Sequence, residues 1–260
     1  MSEQTILRSV AVPNEHGGWS ITLEPVVLGL IVAPTVSGFA LGAAALLAFI
    51  ARTPLKIVLV DRWRGRRIER TRLATQVVVM ELVALAALVT VAIVTAQAAF
   101  WWPLVVAAPL IAVELWHDAR SRSRRLVPEL AGSVGVASVA AAIALAGGES
   151  TGVAAGLWIV VGTRSIATVP FIRVQLLRFK EQPHATWQSD LAQFAAVAVA
   201  AAGVALGVVP VPAALAIAGL GLFELVAVRR PPRPAAVLGA QQVVLGLTVV
   251  LITGLSVVAP

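Results

Sequence analysis

Long apolar segments separated by short polar ones extend from residue 20 to the end of the chain. A helix that spans the hydrocarbon core of a bilayer needs about 20 mostly apolar residues. Proline-containing breaks, such as Pro210-Val-Pro212, divide the longer apolar stretches. The pattern predicts an all-α, polytopic transmembrane bundle of about nine helices, at residues 20–36, 39–60, 75–96, 100–117, 127–147, 152–176, 188–208, 211–228 and 236–258.

The basic residues of the polar segments are concentrated in every second segment. Clusters follow predicted helices 2, 4, 6 and 8, whereas the intervening segments contain no Lys or Arg. Cytoplasmic segments of membrane proteins carry such an excess of basic residues. We therefore expect the N-terminus and the basic clusters in the cytoplasm and the C-terminus outside. Residues 1–19 are then a cytoplasmic segment, and residues 20–260 are a single transmembrane domain.

The composition agrees with a membrane protein and excludes several other classes. Hydrophobic residues make up 59% of the chain and charged residues 13%, which is too few to cover the surface of a soluble protein. Because membrane topology explains the net charge of +7, we expect lipids as partners and no nucleic acid. The absence of cysteine excludes disulfides, iron–sulfur clusters and thiolate metal sites.

The first group of candidate catalytic residues lies around the start of predicted helix 1. Glu15 and His16 belong to the sequence Asn14-Glu-His-Gly-Gly-Trp19, and Glu24 follows inside the helix. These side chains can act as acids, bases or hard ligands. An ionisable residue within a span, such as Glu24, is costly and usually functional. The alternative is an N-terminal helix cap with a tryptophan anchored at the membrane interface.

A second group lies toward the end of predicted helix 2. Arg52 and Lys56 are four residues apart, which places them on one helix face, and Asp61 and Arg62 follow. Two cations on one face favour an anionic ligand such as a diphosphate or a carboxylate. For Arg62 and the arginines after it, the alternative is orientation in the membrane and contact with anionic lipid headgroups.

A third group, Glu114, His117 and Asp118, occupies positions i, i+3 and i+4 at the end of predicted helix 4. A Glu-x-x-His sequence on a bundle helix can hold a metal ion, and carboxylates with water suit Mg²⁺. Together with Asp61, these residues are the candidate metal ligands. The alternative is that the acids form ion pairs with arginines of the same loop or of a neighbouring helix.

Arg164 and Arg173 on predicted helix 6 form a fourth group. Arg164 lies well inside the span and therefore requires a partner, for which Glu24, Glu114 and Glu224 are candidates. Contact with a substrate and a structural ion pair both remain open.

Parts of the sequence resemble known families. The stretch Pro13-Asn-Glu-His-Gly-Gly-Trp19, then Glu24-Pro25, resembles the opening of the YwiC-like bacterial membrane proteins, as does the segment from Pro54 to Arg67. The number of helices and the charged segments after helices 2 and 6 resemble, more distantly, the UbiA superfamily of intramembrane prenyltransferases. These resemblances imply a protein of the bacterial inner membrane.

The UbiA resemblance implies a prenyl diphosphate held through Mg²⁺ by two aspartate-rich segments, beside a cavity open to lipid. This chain departs from that pattern, because Asp61 is the one acid in the first segment and Glu181 and Asp190 are nine residues apart in the second. Either Glu114 and Asp118 supplement them, the arginines bind the anion directly, or the chemistry is lost.

The leading hypothesis is a UbiA-like transferase acting on a lipophilic substrate in a cytoplasm-facing cavity. The first alternative is a carrier for a small anion, favoured by a faint repeat in which Pro54-Leu-Lys56 of helix 2 is matched by Pro170-Phe-Ile-Arg173 of helix 6. The second alternative is a non-catalytic membrane subunit of a larger complex, whose protein partner the sequence does not identify.

Overall fold

A computed structural model of the protein describes residues 16–65, 68–120 and 125–259, without the side chains of residues 16 and 17. Over those ranges the chain forms helices and no β-strand, which confirms the all-α prediction. The helices of the described residues are α1 (His16–Val32), α2 (Val36–Trp63), α3 (Glu69–Thr95), α4 (Trp102–Ala119), α5 (Leu126–Ala146), α6 (Thr151–Phe179), α7 (Thr186–Ala205), α8 (Val211–Ala227) and α9 (Ala235–Val258).

Most of these helices have the length and composition of membrane spans. Among the described residues, six helices are long and apolar enough to cross a membrane, namely α2, α3, α5, α6, α7 and α9. The shorter apolar helices α1 and α8 have 17 residues each. α4 has 18 residues and carries Glu114, His117 and Asp118 near its C-terminal end. The protein is therefore a multi-pass membrane protein.

Helix α5 lies at the centre of the bundle, where it packs against α1, α2, α4 and α6. From Ala140 to Ala146 every side chain of α5 is buried, and most of them are alanines. Small side chains allow neighbouring transmembrane helices to approach closely. Leu28 of α1 and Leu157 of α6 fill the space around this helix and belong to the same hydrophobic core.

The basic C-terminal ends of alternate helices come together. The Arg120 guanidinium after α4 lies 3.3 Å from the Trp116 ring centroid and 4.7 Å from that of Trp63 at the end of α2. Arg178 of α6 donates a hydrogen bond of 2.9 Å to the carbonyl oxygen of Arg230, after α8. We call this side of the bundle, formed by the C-terminal ends of α2, α4, α6 and α8, the arginine-bearing end.

The connections without basic residues meet at the opposite end. Ser37, at the start of α2, donates from Oγ to the carbonyl oxygen of Ala146, the last residue of α5, at 3.2 Å. The backbone N–H of Gln97, between α3 and α4, donates to the same carbonyl at 2.9 Å. The segregation of charge predicted from the sequence is therefore present, and the side that faces the cytoplasm stays a prediction.

Helix α3 lies at the edge of the bundle and packs against α2. Met80, Val83 and Ile93 are 72%, 67% and 63% exposed, which suits contact with lipid chains. Glu69 begins the helix, six residues before its predicted start at residue 75.

The predicted boundary between the first two helices was wrong. Helix 1 was expected to continue to residue 36, but α1 ends at Val32 and α2 begins at Val36. Pro34 disfavours helical backbone at the residue before it. Thr35 then caps α2, because its Oγ1 accepts a 3.1 Å hydrogen bond from the Gly38 N–H.

Candidate functional site

Two basic residues of α2 contact two acidic residues of α4 toward the arginine-bearing end. Arg52 donates from Nε to Asp118 Oδ2 at 2.9 Å and from Nη2 to Asp118 Oδ1 at 3.4 Å. Its Nη2 also lies 2.8 Å from Oε1 of Glu114, and Lys56 Nζ lies 3.5 Å from Asp118 Oδ1. We call these four residues the Arg52–Asp118 cluster.

Helix geometry explains why these four side chains meet. Arg52 and Lys56 are four residues apart on α2, and Glu114 and Asp118 are four apart on α4, so each pair projects from one face. Gly132 of the central helix α5 completes the arrangement, because a Cβ atom there would overlap the Glu114 carboxylate. The cluster therefore depends on a glycine from a third helix.

The cluster buries its carboxylates more deeply than its cations. The Asp118 side chain is 0% exposed and that of Glu114 is 13% exposed, whereas Arg52 and Lys56 are 27% and 31% exposed. The buried acids hold the two cations in place, and the accessible parts of those cations remain within reach of a ligand. A guanidinium and an ammonium group side by side suit a phosphate or carboxylate group.

Asp61 and His117, which were predicted to act with these residues, have other contacts. Asp61 is buried and accepts a 2.6 Å hydrogen bond from Thr71 Oγ1, which links α2 to α3. The Nδ1 atom of His117 lies 2.8 Å from the carbonyl oxygen of Val113 in its own helix. Of the three residues predicted to share one face of α4, Glu114 and Asp118 therefore belong to the cluster, whereas His117 contacts its own helix.

The carboxylates in their present arrangement do not fit a Mg²⁺ site. Magnesium requires several oxygen ligands directed at one point. Glu114 and Asp118 instead contact cations, and Asp61 contacts a hydroxyl group. Within the described ranges, no three His, Asp or Glu side chains are grouped so that they could hold a metal ion. The predicted Mg²⁺ and its predicted ligands Asp61, Glu114, His117 and Asp118 stay predictions.

The other sequence-predicted residues of the arginine-bearing end are distributed over several helices. Arg173 of α6 lies 3.7 Å from Glu129 of α5, both about one-third exposed. Arg62 is exposed in the last turn of α2. Glu15 lies outside the described residues, and His16 is the first residue of α1, with a side chain that is not described.

A second polar site lies deeper in the bundle, around Arg164. This residue is 15 positions before the end of α6, about 22 Å at the α-helical rise of 1.5 Å per residue. Its Nη2 lies 2.9 Å from Glu24 Oε1 on α1 and donates to the carbonyl oxygen of Gln242 on α9 at 2.9 Å. Glu24, one of its expected partners, therefore forms an ion pair with Arg164.

Glu224 of α8 adds a second carboxylate to this site. Its Oε1 accepts hydrogen bonds from Thr168 Oγ1 at 3.0 Å and from Gln242 Nε2 at 3.0 Å. Its Oε2 accepts a hydrogen bond from Gln193 Nε2 at 2.9 Å. Glu24, Arg164 and these four residues are all nearly inaccessible, and we call the six together the Glu224 network.

A glycine, Gly246, leaves room for the Glu24 and Arg164 side chains. A Cβ atom on Gly246 of α9 would overlap the Glu24 carboxylate and lie 2.7 Å from Arg164 Nη2. The carboxylate–guanidinium pair is therefore packed directly against the backbone of α9.

A family model described as YwiC-like protein matches residues 12–144, just over half of the chain. The chain belongs to the YwiC-like family. No curated protein and no solved structure gives a match. The matched region of this YwiC-like protein contains α1 to α4 and all but the last two residues of α5. It therefore includes the whole Arg52–Asp118 cluster and Glu24 of the Glu224 network.

The neutral members of the Glu224 network in this YwiC-like protein were not among the residues predicted from the sequence. Thr168, Gln193 and Gln242 lie in apolar helices and carry no charge, so a search for ionisable residues passes over them. A buried side-chain amide requires a hydrogen-bond partner in the same way as a charge does. Gln193 and Gln242, within the apolar helices α7 and α9, were the available signal.

Proposed function

We propose that this YwiC-like protein is a UbiA-like intramembrane transferase that binds a lipophilic substrate with an anionic headgroup, such as a prenyl diphosphate. The headgroup contacts Arg52 and Lys56. The observation that carries this proposal is the Arg52–Asp118 cluster, in which a buried aspartate holds two cations that remain 27% and 31% exposed.

The surroundings of the cluster suit a lipophilic tail. Val113 and Trp116 of α4, on either side of Glu114, are 37% and 60% exposed. A substrate with a charged head and an apolar tail can therefore place its head on Arg52 and Lys56 while its tail follows apolar helix surface. With the basic clusters in the cytoplasm, the headgroup site opens on the cytoplasmic side of the bacterial inner membrane.

The proposed reaction breaks the bond between the prenyl carbon and the diphosphate oxygen. The electron pair leaves with the diphosphate, whose increasing negative charge Arg52 and Lys56 stabilise. The acceptor forms the new bond to the prenyl carbon and loses a proton. The candidate bases for that proton are Glu15 and His16, which the sequence predicts as acid–base groups.

The test uses the two lysines of the chain, Lys56 and Lys180. Purified protein in lipid nanodiscs is labelled with an amine-reactive reagent, with and without farnesyl diphosphate, and both sites are quantified by mass spectrometry. We expect farnesyl diphosphate to protect Lys56 and to leave Lys180, after the end of α6, unprotected. Equal labelling of Lys56 with and without the diphosphate would exclude this headgroup site.

Variants extend the same test. Because a charge-assisted hydrogen bond contributes about 1.5–3 kcal/mol, Lys56→Ala is expected to weaken farnesyl diphosphate binding by roughly tenfold or more. Lys180→Ala is the matched control and should bind normally.

Lys56→Ala and Asp61→Asn are further expected to abolish release of diphosphate in the presence of membrane lipid extract. Full activity in both variants would contradict the assignment, and repeating the assay with Mg²⁺ or a chelator tests metal dependence.

A second candidate function is a carrier for a small anion, and the position of Arg164 favours it. A guanidinium deep inside the bundle is the kind of group that lines an ion pathway. The test is uptake of radiolabelled phosphate into proteoliposomes, with Arg164→Ala compared with Arg229→Ala at the exposed end of α8. Uptake that depends on Arg164 would favour transport over transfer.

A further inference from the structure

Three groups of the Glu224 network form a closed triangle of hydrogen bonds. Thr168 Oγ1 lies 3.0 Å from Glu224 Oε1 and 3.3 Å from Gln242 Oε1. Gln242 Nε2 lies 3.0 Å from the same Glu224 Oε1. Glu224, Gln242 and Thr168 are 0%, 2% and 1% exposed, so water does not reach the triangle freely.

Counting the hydrogens of this triangle shows that one is missing when Glu224 is ionised. Three separate hydrogen bonds require three hydrogens, but the Thr168 hydroxyl supplies one and the Gln242 amide group directs one into the triangle. With Glu224 ionised, the single Thr168 hydrogen is shared between two oxygens. The amide orientation does not change this count. If the Gln242 oxygen and nitrogen are exchanged, the contact between Gln242 and Glu224 joins two acceptors instead.

A proton on Glu224 Oε1 satisfies all three contacts. The carboxyl group then donates to Thr168 Oγ1, and Thr168 donates its own hydrogen to Gln242 Oε1. Gln242 Nε2 continues to donate to Glu224 Oε1. The second oxygen, Oε2, still accepts from Gln193 Nε2, which also donates to the Ala167 carbonyl oxygen at 2.9 Å.

The charges around the triangle also favour a proton on Glu224. α6 contributes Arg164 and α1 contributes Glu24, which lie 2.9 Å apart. α7 and α9 face Glu224 with the neutral side chains of Gln193 and Gln242, while Asp190 of α7 pairs with Arg229 near the surface. Two buried carboxylates therefore accompany one guanidinium, and an unbalanced buried charge is unfavourable in a membrane.

We propose that the triangle of Glu224, Thr168 and Gln242 is a proton-binding site that holds one proton between α6, α8 and α9. The site is separate from the Arg52–Asp118 cluster, and its existence does not depend on whether the protein is a transferase or a carrier. When the proton leaves, two carboxylates face Arg164, so ionisation of Glu224 is coupled to the Glu24–Arg164 ion pair and to the position of α1.

Infrared spectroscopy of the protein in lipid nanodiscs tests this proposal. We expect the carbonyl stretch of a protonated carboxylic acid at neutral pH, and its loss at alkaline pH. Glu224→Gln should remove this band, whereas Glu181→Gln, an exposed position after the end of α6, should leave it unchanged. Thr168→Val should shift the band, because the acid proton then loses its acceptor, and that shift assigns the proton to Glu224 rather than to Glu24.

Two results would overturn the proposal. The first is a protonated-carboxyl band that is identical in wild type, Glu224→Gln and Thr168→Val. The second is loss of the band at constant neutral pH when sodium replaces a large organic cation, because the site would then bind a metal cation instead of a proton. If Glu224→Gln does not fold, the band shift expected in Thr168→Val tests the proposal by itself.

Discussion

Arg164 on α6 and Glu24 on α1 form an ion pair of 2.9 Å in which the side chains are 2% and 3% exposed. The two residues are 140 positions apart in sequence and belong to helices that also contact α9. Such a pair is held by the surrounding fold, because neither charge has access to water. Removing one partner therefore leaves the other buried without its counter-charge.

We predict that Glu24→Ala lowers the free energy of unfolding by about 3–5 kcal/mol, the range found when one partner of a buried ion pair is removed. The double variant Glu24→Leu with Arg164→Leu should recover most of this loss. Chemical denaturation in mild detergent, followed by tryptophan fluorescence, measures both. Glu81→Ala, which changes a glutamate outside this pair, is the control, and equal losses in the two single variants would contradict the prediction.

Two glycines of α9 differ in the room that they leave for an added methyl group. Gly246→Ala places a methyl group against Glu24 and Arg164, whereas an added Cβ on Gly239 meets no atom within 4 Å. Overpacking typically costs about 1–3 kcal/mol, and alanine at an unobstructed helical position stabilises by about 0.5–1 kcal/mol relative to glycine. The midpoint temperature of thermal unfolding should therefore be lower in Gly246→Ala than in the wild type, and unchanged or higher in Gly239→Ala.

Asp118 is expected to control the reactivity of Lys56. Asp118→Asn removes the charge that holds the ammonium group at 3.5 Å, so Lys56 should react faster with an amine-reactive reagent. Lys180 in the same molecule provides the internal standard. Mass spectrometry gives the ratio of labelling at Lys56 to labelling at Lys180. An unchanged ratio would show that Asp118 does not restrain Lys56.

The absence of cysteine makes the orientation of the chain directly testable. We predict that Ala98→Cys, at the end without basic residues, reacts with a membrane-impermeant maleimide in intact bacteria. Arg64→Cys, after α2, should react only once the cells are opened. The reverse pattern would place the arginine-bearing end outside and would invalidate the predicted cytoplasmic N-terminus.

The sequence predicted the helices well because the apolar segments are long and the basic residues alternate between segments. It also predicted that Arg52 with Lys56, and Glu114 with Asp118, share a helix face, since that follows from a spacing of four. It could not predict that α2 and α4 would bring those faces together. Helix packing depends on distant small residues such as Gly132, whose role is visible only when α5 lies against Glu114.

The Glu24–Arg164 ion pair, with Gly246 packed against it, joins three parts of the chain that are far apart in sequence. We expect a change at any one of them to be tolerated only with a compensating change at another. Among related proteins, Glu24 and Arg164 should therefore be gained and lost together, and position 246 should remain glycine wherever both are kept. We therefore expect evolution of the first helix to be tied to a part of the chain beyond residue 144, where the family match ends.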